Sequence, residues 1–244
     1  MNEEIQEARE KDPFRRQRLW MLVIAAVVLA LSLWAASLGE ISPTLSRTEP
    51  RPCLIIDPGH GGIDGGAIAY NGVKESDLNL AIALKLRDLA DFCGCETLLT
   101  RQDDSRRTDI LSYSEHEDLV HRVEIINGVS NGVLMSIHQN CYPTSQPSGA
   151  QVLYAAGEES RRLGLLTHGL ILSHLQPENR RVAEPAPEKL YITAHVRCPA
   201  ILVECGFVSN LSDLERLSDE VYQTSFAAAL LSAYLQYTTV ETVT

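Results

Sequence analysis

Apolar residues follow two alternating patterns from residue 53 to the C-terminus. Short continuous apolar runs, such as 54–56, predict buried strands, whereas apolar residues that recur every three or four positions predict helices. The predicted strands are 53–57, 96–100, 133–137, 150–155, 190–194 and 199–204. The predicted helices are 76–90 with Ser76 as its N-cap, a helix around 119–126, 163–175 and 220–237. Strands separated by such helices predict an α/β fold, a single domain with a mostly parallel or mixed central sheet flanked by helices.

An uncharged segment of 20 residues, 19–38, precedes this domain. Its length suits a helix that crosses the hydrocarbon core of a bilayer. Basic residues precede the segment and Glu40 is the first charge after it. The positive-inside rule therefore predicts a cytoplasmic tail at 1–18, a membrane anchor at 19–38, and a linker at 39–52 that leads to an extracytoplasmic domain at 53–240. A cleaved signal peptide is the alternative, although the apolar run is longer than the usual signal segment.

The net charge of −11 argues against nucleic-acid binding through a basic surface. Five basic and five acidic side chains cancel within 1–18, so the remainder of the chain carries the whole −11. Any contact with an anionic polymer must therefore depend on a few basic side chains and not on the overall charge of the domain. Arg180 and Arg181 are the candidate pair for holding substrate carboxylates.

Three predicted strands lead into a residue suited to metal or acid–base chemistry. His60 follows the first strand, His138 follows the third, and Glu204 ends the last. Ligands of open α/β sheets gather at the carboxyl ends of strands, so we expect these residues to meet there. Catalytic zinc is commonly held by two His and one Glu, with a position left for water. Glu75, 15 residues after His60, is assigned as the third ligand of one Zn²⁺.

Glu204 is assigned instead as the general base. It emerges from a strongly apolar strand, and burial there would raise its pKa toward the range useful for a base. Such a base would take a proton from the attacking water and pass it to the leaving nitrogen. Asn140, which follows His138 in SIHQN, is a further candidate for substrate contact.

Other polar residues receive structural interpretations. Asp57 is expected to fix the following loop as a hydrogen-bond acceptor, and Arg122 and Asn127 are expected to support the structure. The remaining histidines are expected at the surface: His116, His121, His168, His174 and His195. Three cysteines lie in or beside apolar runs and are expected to be small buried thiols: Cys53, Cys141 and Cys205.

A series of sequence blocks resembles the catalytic domain of the zinc-dependent N-acetylmuramoyl-L-alanine amidases. The blocks are LIIDPGHGGIDGGA, KESDLNLAIALKL, LLTRQDD, HRVEIIN, SIHQN, GAQVLY, NRR and PAILVECGFVSN. The resemblance places the family's metal-binding His, Glu and His on His60, Glu75 and His138. It places the catalytic Glu on Glu204. It implies hydrolysis of the amide between N-acetylmuramic acid and L-alanine in peptidoglycan.

The VECGFVSN and NRR blocks and the single N-terminal anchor are similar to germination-specific amidases of endospore formers. That subgroup implies spore-cortex peptidoglycan as substrate and an activating partner protein. Gln139 departs from the family, which usually has a small residue there, and is expected to narrow or re-pitch the cleft. Two alternatives stay open: a catalytically silent wall-binding module, and a zinc peptidase of other specificity, since such a site suits any amide.

Overall fold

The computed structural model of the protein describes residues 20–23, 51–104 and 114–240. The predicted anchor at 19–38 therefore lies outside the described residues except for one helical turn at 20–23, and stays a prediction. Within the described ranges, no helix combines the length and apolar character needed to cross a bilayer. The chain divides into two compact units between Thr48 and Glu49.

The domain after the division contains six strands and six helices among its described residues. The strands are β1 Cys53–Pro58, β2 Thr97–Leu99, β3 Gly132–Asn140, β4 Gln151–Tyr154, β5 Glu184–Pro185 and β6 Ala200–Phe207. The helices are α1 Glu75–Phe92, α2 Glu115–Asn127, α3 Glu158–His174, α4 Tyr191–His195, α5 Leu211–Ser218 and α6 Glu220–Val240.

The strands form one sheet in the order β2-β1-β3-β6-β4-β5. The pairs β2–β1, β1–β3, β3–β6 and β4–β5 are parallel, and β6–β4 is antiparallel. The predicted α/β fold with a mixed central sheet is therefore confirmed.

Alternate residues of the strands face two hydrophobic clusters, because side chains of a strand alternate between the faces of the sheet. Leu54 and Ile56 of β1 lie in the larger cluster, together with buried residues of α1, α3 and α6. Ile55 lies in the smaller cluster, with residues of α2 and Ile192 of α4. The helices therefore cover both faces, and the smaller cluster marks the face on which α2 and α4 lie.

Several local predictions are corrected. The predicted strand at 190–194 is the short helix α4, which packs Ile192 against the smaller cluster. Strand β5 was not predicted. It consists of only two residues, Glu184–Pro185, at the edge of the sheet, where a proline is tolerated because no neighbouring strand needs its N–H. Helix α1 starts at Glu75 rather than after Ser76, since Lys74 is the extended N-cap residue. Helix α5 was not predicted; Asn210 caps it by accepting a hydrogen bond from the Asp213 N–H.

Burial corrects two further predictions. Cys141 is exposed because it follows the last residue of β3, whereas Cys53 and Cys205 are buried as expected. All six cysteines are free thiols. His168 is buried in α3 rather than at the surface. The other four histidines that were expected at the surface are exposed, as predicted: His116, His121, His174 and His195.

Candidate metal centre

His60 lies in the loop after β1, in a backbone conformation that few non-glycine residues adopt. Its φ is +58°, in the left-handed region. Two buried arginines hold the carbonyls around it. Arg101 donates to the carbonyl oxygens of Pro58 and Gly59 at 2.9 and 3.0 Å. Arg122 donates to those of Pro58 and His60 at 2.8 and 2.7 Å.

The structure brings His60, Glu75 and His138 together at the edge of the sheet. Glu75 Oε1 lies 3.3 Å from His60 Nε2 and 3.1 Å from His138 Nδ1. One potential ligand atom from each residue lies within 4.8 Å of the other two. Two imidazoles and one carboxylate form a donor set that suits zinc. The three residues therefore fit a metal ion chemically and geometrically.

Hydrogen bonds from neighbouring groups orient two of these side chains. His60 Nδ1 lies 2.7 Å from Asp64 Oδ2, which leaves Nε2 facing Glu75. The backbone N–H groups of Ala67 and Gln139 donate to the two carboxylate oxygens of Glu75, both at 3.0 Å. Partners of this kind fix the ring orientation and tautomer of metal-binding histidines. Asp64 was not singled out from the sequence, although its position four residues after His60 places it in the same glycine-rich loop.

Two glycines are needed because the loop passes so close to the cluster. A Cβ on Gly59 would lie 2.2 to 2.7 Å from atoms of the His138 ring. A Cβ on Gly66 would lie 2.7 Å from Glu75 Oε2 and 2.8 Å from His60 Cδ2, and its φ of +65° also favours glycine. The loop therefore carries glycine at 59 and 66 because a larger residue at either position would overlap the candidate ligands.

Neighbouring groups shift the pKa values of His60 and Glu75 strongly. Burial lowers the pKa of His60, but hydrogen bonds and charges from Asp64 and Glu75 outweigh burial and raise it to about 10. Burial raises the pKa of Glu75, and both histidines together hold it well below its usual range. The negative charges of Asp64 and Glu75 therefore favour a positive charge at His60. A metal cation that replaced the proton on His60 would be attracted by the same two carboxylates.

Glu204 lies beside the cluster, on the neighbouring strand. It pairs in register with His138 of β3. Burial raises its pKa to about 6 against opposing influences that include His138. Its Oε2 atom is buried and has no hydrogen-bond partner among the described residues. A buried carboxylate oxygen without a partner is rare in proteins and suits a group that accepts a proton from a bound molecule.

His138 and Glu204 lie inside their strands rather than at the predicted strand ends. β3 continues to Asn140 and β6 to Phe207, and these two residues still pair across a register shift. Backbone pairing continues because the Val208 N–H donates to the Asn140 carbonyl at 2.9 Å. Both strands therefore continue beyond His138 and Glu204, so hydrogen-bonded backbone lies on both sides of these two residues along the strands.

Asp57 fixes the loop base, as predicted. Its carboxylate is fully buried and accepts hydrogen bonds from Thr100, Ser136 and Arg122, at 2.6, 2.6 and 2.5 Å. Despite burial, these partners lower its pKa to about 2. The structural role predicted for Arg122 has the same basis, whereas Arg101 was not singled out from the sequence.

The residues predicted to contact substrate occupy different settings. Asn140 ends β3 and is half-buried. Arg180 is exposed and donates to the Pro177 carbonyl at 2.9 Å. Arg181 is half-buried and donates to Gln151.

Gln139 has a different position from the expected one. Its side chain is buried, and its amide nitrogen donates to Asn79 Oδ1 at 3.1 Å. Because Asn79 belongs to α1, this bond places the Gln139 side chain on the face of the sheet that packs against the larger cluster, opposite α2 and α4. The Gln139 side chain therefore does not narrow the cleft, whereas the predicted change in the pitch of the cleft stays a prediction.

A His/Glu/His cluster with an unpaired buried carboxylate beside it has the components of a metal-dependent amide hydrolase. Residues 54–235 match the Amidase_3 family, described as N-acetylmuramoyl-L-alanine amidase. The chain therefore belongs to this family of enzymes, and the family resemblance of the sequence blocks is confirmed.

Individual relatives agree with the family match. The chain is 32% identical over 237 residues to the germination-specific N-acetylmuramoyl-L-alanine amidase of Bacillus subtilis, covering 92% of this chain and 97% of that protein. The CwlD amidase from Clostridioides difficile, solved in complex with the GerS lipoprotein, is 33% identical with a TM-score of 0.73, covering 78% of this chain and 99% of that chain. The amidase AmiC2 of Nostoc punctiforme is 29% identical with a TM-score of 0.66, covering 76% and 96%.

Proposed function

We propose that His60, Glu75 and His138 hold one Zn²⁺ and that Glu204 is the general base of an N-acetylmuramoyl-L-alanine amidase. The reaction is hydrolysis of the amide between N-acetylmuramic acid and L-alanine in peptidoglycan. One observation carries the assignment: three donor atoms lie within 4.8 Å of one another, next to a buried carboxylate oxygen that has no hydrogen-bond partner in the described part of the chain.

Zinc in such a site polarises a carbonyl and lowers the pKa of water toward about 7. The protein supplies the remaining chemistry. Glu204 accepts a proton from the attacking water and gives it to the leaving amide nitrogen, which departs as an amine. Its raised pKa, to about 6, suits both transfers near neutral pH. Asp64 holds the His60 ring so that Nε2 faces Glu75, the arrangement in which both residues would hold the ion.

The biological setting that we propose follows the similar proteins. Similarity over 92% of the chain to a germination-specific amidase supports spore-cortex peptidoglycan as the substrate. The similar CwlD amidase was solved in complex with a lipoprotein, which supports an activating partner protein for this chain. The uncharged segment at 19–38 supports a membrane-anchored enzyme with its catalytic domain on the extracytoplasmic side.

The decisive experiment incubates the purified full chain with zinc and either peptidoglycan or soluble muramoyl peptides. We expect new N-terminal alanine and no other new amine. Glu204→Gln should lower the rate by about 10² to 10⁴-fold, the usual contribution of a general base, while one equivalent of zinc stays bound. His60→Ala should lose the zinc.

Each alternative has its own outcome in this experiment. New amines from inside the peptide stem would favour a zinc peptidase of other specificity. Binding to peptidoglycan without release from either substrate would favour a silent wall-binding module. Full zinc retention in His60→Ala would remove His60 from the ligand set.

A further inference from the structure

Three side chains form a row across neighbouring strands on the site face of the sheet. His138 of β3 pairs with Glu204 of β6, and Glu204 pairs with Gln151 of β4. Directly paired residues project from the same face, and neighbouring strands lie about 5 Å apart. The adjacent residues Val203 and Val152 lie in the larger cluster on the opposite face, which supports this orientation. The row therefore leads from a candidate metal ligand, past the base, to Gln151.

Arg181 stands at the far end of this row. Its guanidinium donates a hydrogen bond to Gln151 Oε1 and lies 5.0 Å from the centre of the Phe207 ring. The Gln151 amide nitrogen donates to the Val182 carbonyl at 3.3 Å and to Glu184 Oε2 at 3.1 Å. These bonds direct the amide oxygen of Gln151 toward Arg181. The cation is therefore held on the side of Glu204 that faces away from His138.

The backbone of Arg181 is held by two buried side chains. Its N–H donates to Asn179 Oδ1 at 2.9 Å, and its carbonyl lies 2.8 Å from His168 Nε2. Asn179 is 8% exposed and His168 is 5% exposed. Burial of both side chains keeps the surrounding chain in one conformation, so Arg181 starts from a fixed position. The unexpected burial of His168 has its explanation here.

Arg181 also keeps its charge available. Among the described residues it forms no ion pair with a carboxylate: Glu184 bonds to Gln151 instead, and Glu204, whose pKa Arg181 lowers, lies beyond ion-pair distance. The domain is acidic overall, because 1–18 is neutral and the whole chain carries −11. A guanidinium that is positioned in such a domain but unpaired suits a carboxylate brought by a ligand.

We propose that Arg181, oriented by Gln151, binds a free carboxylate of the peptide leaving group. This inference rests on the proposed function, in which Glu204 protonates the leaving nitrogen. The muramoyl carbonyl then lies on the His138 side of Glu204, and the peptide extends from Glu204 toward β4. Consecutive residues lie about 3.8 Å apart, so the second residue of the stem comes next to the end of the row. Its free α-carboxylate is the group that Arg181 recognises.

The test compares two muramoyl dipeptides that differ only in the second residue, which carries either a free α-carboxylate or a carboxamide. The wild-type full chain with zinc should have a kcat/KM for the carboxylate substrate higher by about 10- to 100-fold, the effect of one charge-assisted contact. Arg181→Met should bring the ratio of the two kcat/KM values close to one. The ratio is independent of the fraction of folded enzyme, because both substrates meet the same preparation.

Arg180→Met is the matched control, because Arg180 is the adjacent cation but is exposed and bonded to the Pro177 carbonyl. It should keep the wild-type ratio. Gln151→Glu is a second variant, which should reduce the ratio because the new carboxylate would pair with Arg181. An unchanged ratio in Arg181→Met, or a ratio lost in Arg180→Met, would overturn the proposal.

A binding measurement keeps this proposal separate from the proposed function. Calorimetry with the free dipeptide product should show weaker binding to Arg181→Met than to wild type, and no difference when the product carries the carboxamide. Hydrolysis of both substrates with no effect at Arg181 contradicts the carboxylate site alone. Failure to hydrolyse either substrate contradicts the proposed function, and the product-binding comparison then still decides the role of Arg181.

Discussion

Arg122 donates a hydrogen bond to the carbonyl oxygen of His60 at 2.7 Å, although the two residues are 62 positions apart in the chain. His60 has a φ of +58°, a conformation that costs about 1 to 3 kcal/mol and persists only where the surroundings enforce it. The same guanidinium contacts Asp57 at 2.5 Å. A buried ion pair between a strand and a helix thus holds a candidate metal ligand in a strained position.

Replacing Arg122 should destabilise the metal-free protein. Arg122→Met leaves the buried Asp57 carboxylate without its charged partner, which we expect to lower the free energy of unfolding by about 3 to 5 kcal/mol. Arg87→Met is the control, because Arg87 pairs with the 67% exposed Asp88 and should contribute about 1 kcal/mol or less. Urea unfolding of both variants measures the difference, and equal losses would contradict the role given to Arg122.

Asp57 should make stability depend on pH in strongly acid solution. Burial opposes its ionisation, but Arg122, Ser136 and Thr100 outweigh burial and lower its pKa from 3.8 to about 2. A lowered carboxyl pKa stabilises the folded state above the unfolded value, and this contribution, about 2 kcal/mol, is lost as the pH falls from about 4 to 2. Asp57→Asn should lack this component in urea unfolding at pH 2, 3 and 4. Equal pH slopes in wild type and variant would show that Asp57 titrates normally.

Asp64 should control metal affinity without being a ligand. Its carboxylate lies 2.7 Å from His60 Nδ1, and removal of such a partner typically weakens metal binding by about 10- to 100-fold. Asp64→Asn keeps the shape but loses the charge that favours the correct ring orientation. Competition with a chromogenic chelator measures zinc affinity, with Asp88→Asn as the exposed control. A wild-type zinc affinity in Asp64→Asn would mean that Asp64 does not orient the ligand.

Sequence patterns predicted most of the sheet, because its strands are continuous apolar runs. They failed at 190–194, where Tyr191 and Ile192 suggest a strand but five residues form a helical turn that packs on α2 and β6. His60, Glu75 and His138 could be grouped because His60 and His138 each follow an apolar run and Glu75 stands at the start of a helical pattern. Among the supporting groups, Arg122 was assigned a structural role, but Arg101 was missed, since it acts through backbone carbonyls that are distant in sequence. No local pattern encodes such contacts.

Gly59 should be essential for the metal site because of the space it leaves. A Cβ at this position would overlap the His138 ring, with contacts of 2.2 to 2.7 Å, so Gly59→Ala must displace either the ring or the loop that carries His60. We expect zinc affinity to fall by about 10-fold or more, as when the orientation of a ligand is disturbed. Gly169→Ala is the matched control, because Gly169 lies inside α3, where the added Cβ would meet no described atom within 4 Å beyond its chain neighbours and the backbone of its own helix. That variant should gain up to about 1 kcal/mol in free energy of unfolding from helix propensity. Zinc titration and urea unfolding of the two variants check both expectations, and an unaffected zinc affinity in Gly59→Ala would show that the loop can move without cost to the site.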